Sequence, residues 1–158
     1  LVKDLGSDAH LLCIGDGPEK PAFEVNVQQK GLMDRVHFTG SIPHSAVGEW
    51  LGHCNLGVAP YPEMEEFWFS PLKIYEYFSC GMPVVATNRG QIGDLVIDGR
   101  GTLADSGDTR MFAEGMKKEL SRLKVEPNAG DLCRKWVLEN ATWQMRAQQI
   151  LAAVESVR

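Results

Sequence analysis

The chain has 158 residues, of which 44% are hydrophobic and 23% are charged, enough for one domain with a buried core. A formal net charge of −5 excludes uniform electrostatic binding to nucleic acid or an anionic membrane, although a locally prepared site can still bind an anion. The four cysteines are far apart and form no CxxC pair, which argues against a zinc site and favours reduced thiols in the cytoplasm.

Along the chain, apolar runs of strand length alternate with longer segments of helical pattern. The predicted strands are residues 10–15, 35–40, 56–60, 82–87 and 101–104. The predicted helices are residues 19–32, 45–54, 71–80, 91–96, 108–123, 129–137 and 142–157. Apolar strands that alternate with helices indicate a parallel sheet covered on both faces. We therefore expect an α/β fold, a three-layer Rossmann-like domain, with ligands bound outside the carboxyl ends of its strands.

The segment FSPLKIYEYFSCGMP, at residues 69–83, carries clear signals for the start and end of a helix. Ser70 is a typical N-cap, and Pro71 suits the first helical position. Gly81 supplies the left-handed stop, and Pro83 prevents continuation. The helix is therefore predicted over residues 71–80.

Lys73 lies in the first turn of this helix, where a cation opposes the helix dipole at a cost of about 0.3–1 kcal/mol. An anion bound by the N–H groups of Leu72 and Lys73 would offset that cost, and a diphosphate suits the arrangement. Glu76, one turn on, could then accept hydrogen bonds from sugar hydroxyls. The alternative is that Lys73 and Glu76 form an ordinary i,i+3 surface pair.

The segment FWFSPLKIYEYFSCGMPVVAT resembles the donor-site segment of family-4 retaining glycosyltransferases of the GT-B type. The stretches LLCIGDGPEKPAFE, RVHFTGSIPHSAVGEWLGHCNLGVAPYP, GQIGDLVIDGRGTLADSGD and NATWQMRAQQIL are similar to the same family's carboxyl-terminal domain, in the same order. The resemblance implies a nucleotide-diphosphate sugar as donor, transfer with retention, and no metal cofactor.

The resemblance also implies roles for particular residues. Glu76 matches the second glutamate of the family's Glu…Glu pair, which binds the nucleotide ribose, and the N–H groups of Leu72 and Lys73 match its diphosphate site. The remaining matched positions are Ser41 and Ile42, in the loop whose backbone touches the base, and Gly15, Asp16 and Gly17, in the glycine turn.

Two departures from the family pattern matter. Trp68 occupies the position of the first glutamate, which leaves the contact to the transferred sugar open; Trp68 itself is a candidate for lining that pocket. The family's first strand, its two basic residues and its acceptor domain have no match within residues 1–158. We therefore expect one donor-binding domain that carries no catalytic residue and is inactive alone, with any membrane contact made through the unmatched domain.

A sheet without its first strand has two open edges, which predicts a homodimer formed through them. Two other functions stay open: a non-catalytic module that binds a nucleotide or a protein, and half of a nucleotide-sugar epimerase. The turn GDGPEK also suggests a dinucleotide oxidoreductase, but it lacks the third glycine of GxGxxG. His37 and His44 are predicted to be a strand and a loop residue without a catalytic partner.

Overall fold

A computed structural model describes residues 2–63, 70–105 and 107–156. The strands are β1 (Leu11–Cys13), β2 (Val36–Phe38), β3 (Gly57–Ala59), β4 (Val84–Thr87) and β5 (Gly101–Ala104). The helices are α1 (Lys20–Gln29), α2 (His44–Leu51), α3 (Leu72–Ser79), α4 (Ile92–Leu95), α5 (Thr109–Val125), α6 (Asp131–Asn140) and α7 (Trp143–Ser156). A short 3-10 helix, Val2–Leu5, precedes β1. Over the described residues, no helix combines the length and the apolar character that crossing a bilayer requires.

All strand pairs are parallel, as predicted, but the strands form two sheets rather than one. In the first sheet β1 pairs with β2, with Leu11 opposite Val36. In the second, β4 lies between β3 and β5, with Val84 opposite both Gly57 and Gly101. The division falls between β1 and β3, where the resemblance places the unmatched first strand.

The second sheet is covered on both faces, because β4 is buried along its whole length. Val84 and Ala86 belong to a hydrophobic cluster with Ile74 and Phe78 of α3. Val85, which points to the opposite face, belongs to a second cluster with residues of α5. The α/β fold with three layers is therefore confirmed.

Helix α3 is anchored at its carboxyl end. The ring of Phe78 meets the ring of Trp136, on α6, edge to face at a centroid distance of 6.1 Å. Gly81 takes a left-handed φ of 73° and ends α3 as predicted. Its carbonyl oxygen lies so close to Gly130 that a Cβ at Gly130 would collide with it. These contacts fix α3 against α6, which holds its other end beside the carboxyl ends of the strands.

A single buried hydroxyl joins the chain beyond β3 to the end of β4. Thr87 Oγ1 accepts a hydrogen bond from the N–H of Tyr61 at 2.9 Å. The same hydroxyl donates to the carbonyl oxygen of Tyr61 at 3.1 Å. Thr87 is only 2% exposed, so its hydroxyl has little access to water and depends on these bonds.

Replacing this hydroxyl should destabilise the fold. We expect Thr87→Val to lower the free energy of unfolding by about 1–3 kcal/mol, because the substitution removes both hydrogen bonds between the Thr87 hydroxyl and the Tyr61 backbone. Chemical denaturation provides the measurement. Thr109→Val, at an exposed position, is the control and should change stability by no more than about 0.5 kcal/mol. Equal effects of the two substitutions would contradict the role of the Thr87 hydroxyl.

Candidate functional site: the cleft between the two sheets

A cleft of about 1290 Å³ separates the two sheets. It touches the facing strands β1 and β3, and it extends past their carboxyl ends to the start of α3. Gly15, Ser41, Ile42, Lys73 and Glu76, five of the residues that the sequence predicts for the site, line this cleft. A second concavity, of about 320 Å³, is formed by exposed side chains of α6 alone and brings no predicted site residue together.

The glycine turn after β1 is tied to the loop after β2. Gly15 donates its N–H to the carbonyl oxygen of Gly40 at 3.1 Å. Gly15 has a φ of 120°, in the half of conformational space that side chains avoid. Asp16 Oδ1 accepts from the N–H of Gly17 at 2.9 Å, which closes the turn. Apart from the adjoining residues of the chain, no atom of the described residues lies within 4 Å of where a Cβ would sit at Gly15 or Gly17, so the turn borders open space.

The start of α3 differs from the prediction. Pro71, rather than Ser70, occupies the N-cap position, and no side chain caps the helix. With φ −78° and ψ 63°, Pro71 forms an inverse γ-turn in which the N–H of Leu72 donates to the carbonyl oxygen of Ser70 at 2.9 Å. In this conformation the Leu72 N–H is therefore engaged rather than offered to a ligand. Pro71 itself is buried, and the Leu72 side chain is 60% exposed.

Lys73 is the second residue of α3, and its ammonium is held at the wall of the cleft. Lys73 Nζ lies 4.9 Å from the centroid of the Tyr61 ring, within the range of a cation–π contact. Glu76, one turn further on, also faces the cleft. Among the described ion pairs there is none between Lys73 and Glu76. The structure therefore does not support the alternative in which the two residues form a simple surface pair.

All four histidines of the sequence line the cleft, which the sequence analysis missed. His10 Nδ1 lies 2.9 Å from His37 Nε2, and the two rings stack with their centroids 5.2 Å apart. His37 lies in β2 as predicted, whereas His44 begins α2 instead of lying in a loop. Only the pairing of β1 with β2 brings His10 beside His37, and no local pattern signals it.

Tyr77 also lines the cleft, at a position that the sequence did not predict. Its ring packs over Gly57, where a Cβ would collide with it. Burial, with a smaller contribution from the charge of Glu76, raises the pKa of Tyr77 to about 12. The hydroxyl therefore stays protonated at neutral pH, and it donates to the carbonyl oxygen of Val58 at 3.5 Å.

Trp68, the remaining predicted contact residue, lies outside the described residues. Within the described ranges, no group of three or more His, Cys, Asp or Glu side chains is arranged to hold a metal ion. The groups that the cleft presents to a ligand are therefore an ammonium, a carboxylate, backbone amides and imidazole rings.

Comparison with known sequences identifies the family. The family described as "Glycosyl transferases group 1" matches residues 1–122. The N-acetyl-alpha-D-glucosaminyl L-malate synthase of Bacillus anthracis is 31% identical over 151 residues, covering 95% of this chain and 37% of that protein. The 2-deoxystreptamine N-acetyl-D-glucosaminyltransferase of Niallia circulans is 31% identical over 125 residues, covering 78% of this chain and 31% of that protein. The chain thus spans about a third of the length of each of these relatives.

Comparison with solved structures supports the fold. Anabaena Alr3699/HepE, solved in complex with UDP, superposes with a TM-score of 0.80 at 22% identity, covering 99% of this chain and 44% of that chain. The sucrose-phosphate synthase of Thermosynechococcus elongatus superposes with a TM-score of 0.73 at 27% identity, covering 94% of this chain and 38% of that chain.

The positive φ of Gly15 predicts that the turn after β1 requires glycine at this position. We expect Gly15→Ala to lower the free energy of unfolding by about 1–3 kcal/mol, because a φ of 120° strains any residue with a Cβ. Gly17→Ala is a matched control, since its Cβ also meets open space but its φ is not in the positive range that strains side chains. Denaturant unfolding of both variants measures the difference. Equal stabilities would contradict the requirement for glycine at position 15.

Proposed function

Since this chain belongs to the group 1 glycosyltransferases, we propose that it forms the donor-binding half of a retaining enzyme. In this proposal the full enzyme transfers a sugar from a nucleotide-diphosphate sugar to an acceptor that the remainder of the enzyme binds. The supporting observation is that Gly15, Ser41, Lys73 and Glu76, which come from separate loops and helices, line one cleft beside the carboxyl ends of the strands.

The diphosphate of the donor is assigned to the start of α3. Lys73 brings a positive charge to the amino end of an eight-residue helix, where the helix dipole adds to the attraction for an anion. The contact with Tyr61 holds the ammonium in place before the ligand arrives. Charges fixed in this way stabilise a departing diphosphate without reorganising during transfer.

The sugar and nucleoside parts of the donor are assigned to the neighbouring walls. Glu76 lies one turn after Lys73 and offers a carboxylate to the ribose hydroxyls. Across the cleft, Ser41 and Ile42 follow β2 and offer their backbone to the base. UDP bound to the Anabaena protein supports a nucleoside diphosphate as ligand, whereas a Mycobacterium tuberculosis relative, 27% identical over 152 residues, is named as GDP-mannose-dependent. The identity of the base is therefore left to experiment.

We also propose a cytoplasmic location, because all four cysteines, each within the described residues, carry unpaired thiols. The predicted homodimer stays a prediction. The edge strands on which it was based, β1 and β3, both line the cleft.

Calorimetric titration with UDP, GDP, ADP and TDP tests the diphosphate assignment. We expect saturable binding of one of them, and Lys73→Ala should weaken it roughly tenfold or more, because a charge-assisted contact contributes about 1.5–3 kcal/mol. Lys135→Ala is the matched control, since Lys135 is exposed on α6 and pairs only loosely with Glu139. Binding that survives Lys73→Ala unchanged would make Lys73 a structural residue. Failure of all four diphosphates to bind would favour the protein-binding module.

The ribose assignment has a separate test. Glu76→Gln should weaken the preferred nucleotide sugar roughly tenfold, because a carboxylate accepts hydroxyl hydrogen bonds more strongly than an amide does. Inorganic pyrophosphate, which has no ribose, should bind the variant within about twofold of the parent. Glu139→Gln on α6 is the control for loss of one negative charge. An equal loss for both ligands would contradict a ribose contact at Glu76.

A further inference from the structure

The ammonium of Lys73 is held against the cleft wall by an uncharged partner. Lys73 Nζ lies 4.9 Å from the centroid of the Tyr61 ring. None of the ion pairs between described residues involves Lys73. Burial raises the pKa of Tyr61, so the ring is neutral at physiological pH and attracts the ammonium through its π face. A carboxylate partner would neutralise the lysine, whereas an aromatic ring orients the ammonium and leaves its charge available to an anion.

The Tyr61 ring has little freedom to move. Tyr61 lies two residues after the end of β3, and the buried Thr87 hydroxyl bonds both polar groups of its backbone, the N–H at 2.9 Å and the carbonyl oxygen at 3.1 Å. The Tyr61 side chain packs against the hydrophobic cluster that contains Ala59 and Ile74. The core of the second sheet therefore sets the position of the ring.

Lys73 is restrained at its other end by α3. Ile74, the next residue of the helix, is fully buried in the same cluster, which fixes the rotation of α3 about its axis. A lysine exposed to solvent gives up much of its side-chain freedom when it binds a ligand. Because the helix fixes the backbone of Lys73 and the Tyr61 ring holds its ammonium, part of that entropy is lost during folding, before an anion arrives.

We propose that Tyr61 is a positioning residue of the candidate site, whose ring face holds the Lys73 ammonium where the diphosphate of the donor binds. Thr87 anchors Tyr61 and so acts on the site from within the core. The proposal rests on the proposed function, because it takes a diphosphate as the ligand of Lys73. It adds that position 61 contributes its aromatic ring, rather than its phenolic hydroxyl, to anion binding.

NMR of the whole chain without ligand tests the contact itself. Protons above the face of an aromatic ring resonate upfield, so we expect upfield signals from the ε-methylene of Lys73, which the Lys73→Ala spectrum assigns by their loss. Tyr61→Phe keeps the ring and should keep this shift. Tyr61→Leu should move the signals to the position of a solvent-exposed lysine. Lys73 signals that are the same in Tyr61→Leu as in the parent chain would overturn the proposal.

Calorimetric titration with inorganic pyrophosphate tests the effect on anion binding. We expect Tyr61→Leu to weaken binding roughly threefold to tenfold, and Tyr61→Phe to keep it within about twofold. In the Lys73→Ala background Tyr61→Leu should have no further effect, because the ring acts through the lysine. Tyr75→Leu is the matched control and should keep binding within about twofold. Tyr75 packs on the same hydrophobic cluster, but its ring lies against Trp136.

Two substitutions at Thr87 test the anchor with the same two measurements. Thr87→Ser keeps the hydroxyl, so we expect the affinity for pyrophosphate and the Lys73 shift of the parent chain. Thr87→Val removes both bonds to the Tyr61 backbone and should change affinity and shift in the direction of Tyr61→Leu. Equal affinities of the serine and valine variants would overturn the anchoring role of Thr87.

The two readouts separate failure of this proposal from failure of the proposed function. Loss of the Lys73 shift in Tyr61→Leu with unchanged affinity for pyrophosphate would overturn the positioning role while the diphosphate assignment stands. If the parent chain binds no pyrophosphate although the shift is present, the diphosphate assignment fails, and the positioning role for that ligand fails with it.

Discussion

The whole structure depends on the burial of β4. All four of its residues are buried, so its backbone groups need strands on both sides and its side chains need helices on both faces. β3 and β5 meet the first requirement, and α3 and α5 meet the second. Because α3 must cover Val84 and Ala86 while its far end packs on α6, its amino end comes to lie beside the carboxyl ends of the strands. The position of Lys73 thus follows from core packing.

The two halves of the candidate site belong to different sheets. The glycine turn and the loop at Ser41 are carried by β1 and β2, whereas Lys73 and Glu76 are carried by the layer over β3 and β4. Each half is held firmly within its own sheet, the first by the bond from Gly15 to Gly40 and the second by packing onto α6. The distance between the halves is set by whatever separates β1 from β3. The separation of β1 from β3 therefore determines both whether the two sheets are joined and how far apart the two halves of the site lie.

The sequence was sufficient to predict features that depend on local pattern. Apolar runs located the five strands of the described residues, and Gly81 located the end of α3, because left-handed backbone strongly favours glycine. The serine cap at Ser70 was wrong, because the inverse γ-turn at Pro71 satisfies the Leu72 N–H through backbone instead. The stacked pair of His10 and His37 and the packing of Tyr77 over Gly57 join residues that are far apart in the chain. The first contact follows from the register of β1 with β2 and the second from the packing of α3 on β3, and no local pattern encodes either.

The Tyr77 hydroxyl contacts the edge of β3 that faces the cleft, and it affects how readily that edge could pair with another molecule. Open strand edges normally invite stacking of other molecules into extended sheets, as in amyloid. Here the Tyr77 hydroxyl partly satisfies one carbonyl of the β3 edge, that of Val58. The β3 edge thereby offers one fewer free acceptor to other molecules than a bare strand edge would.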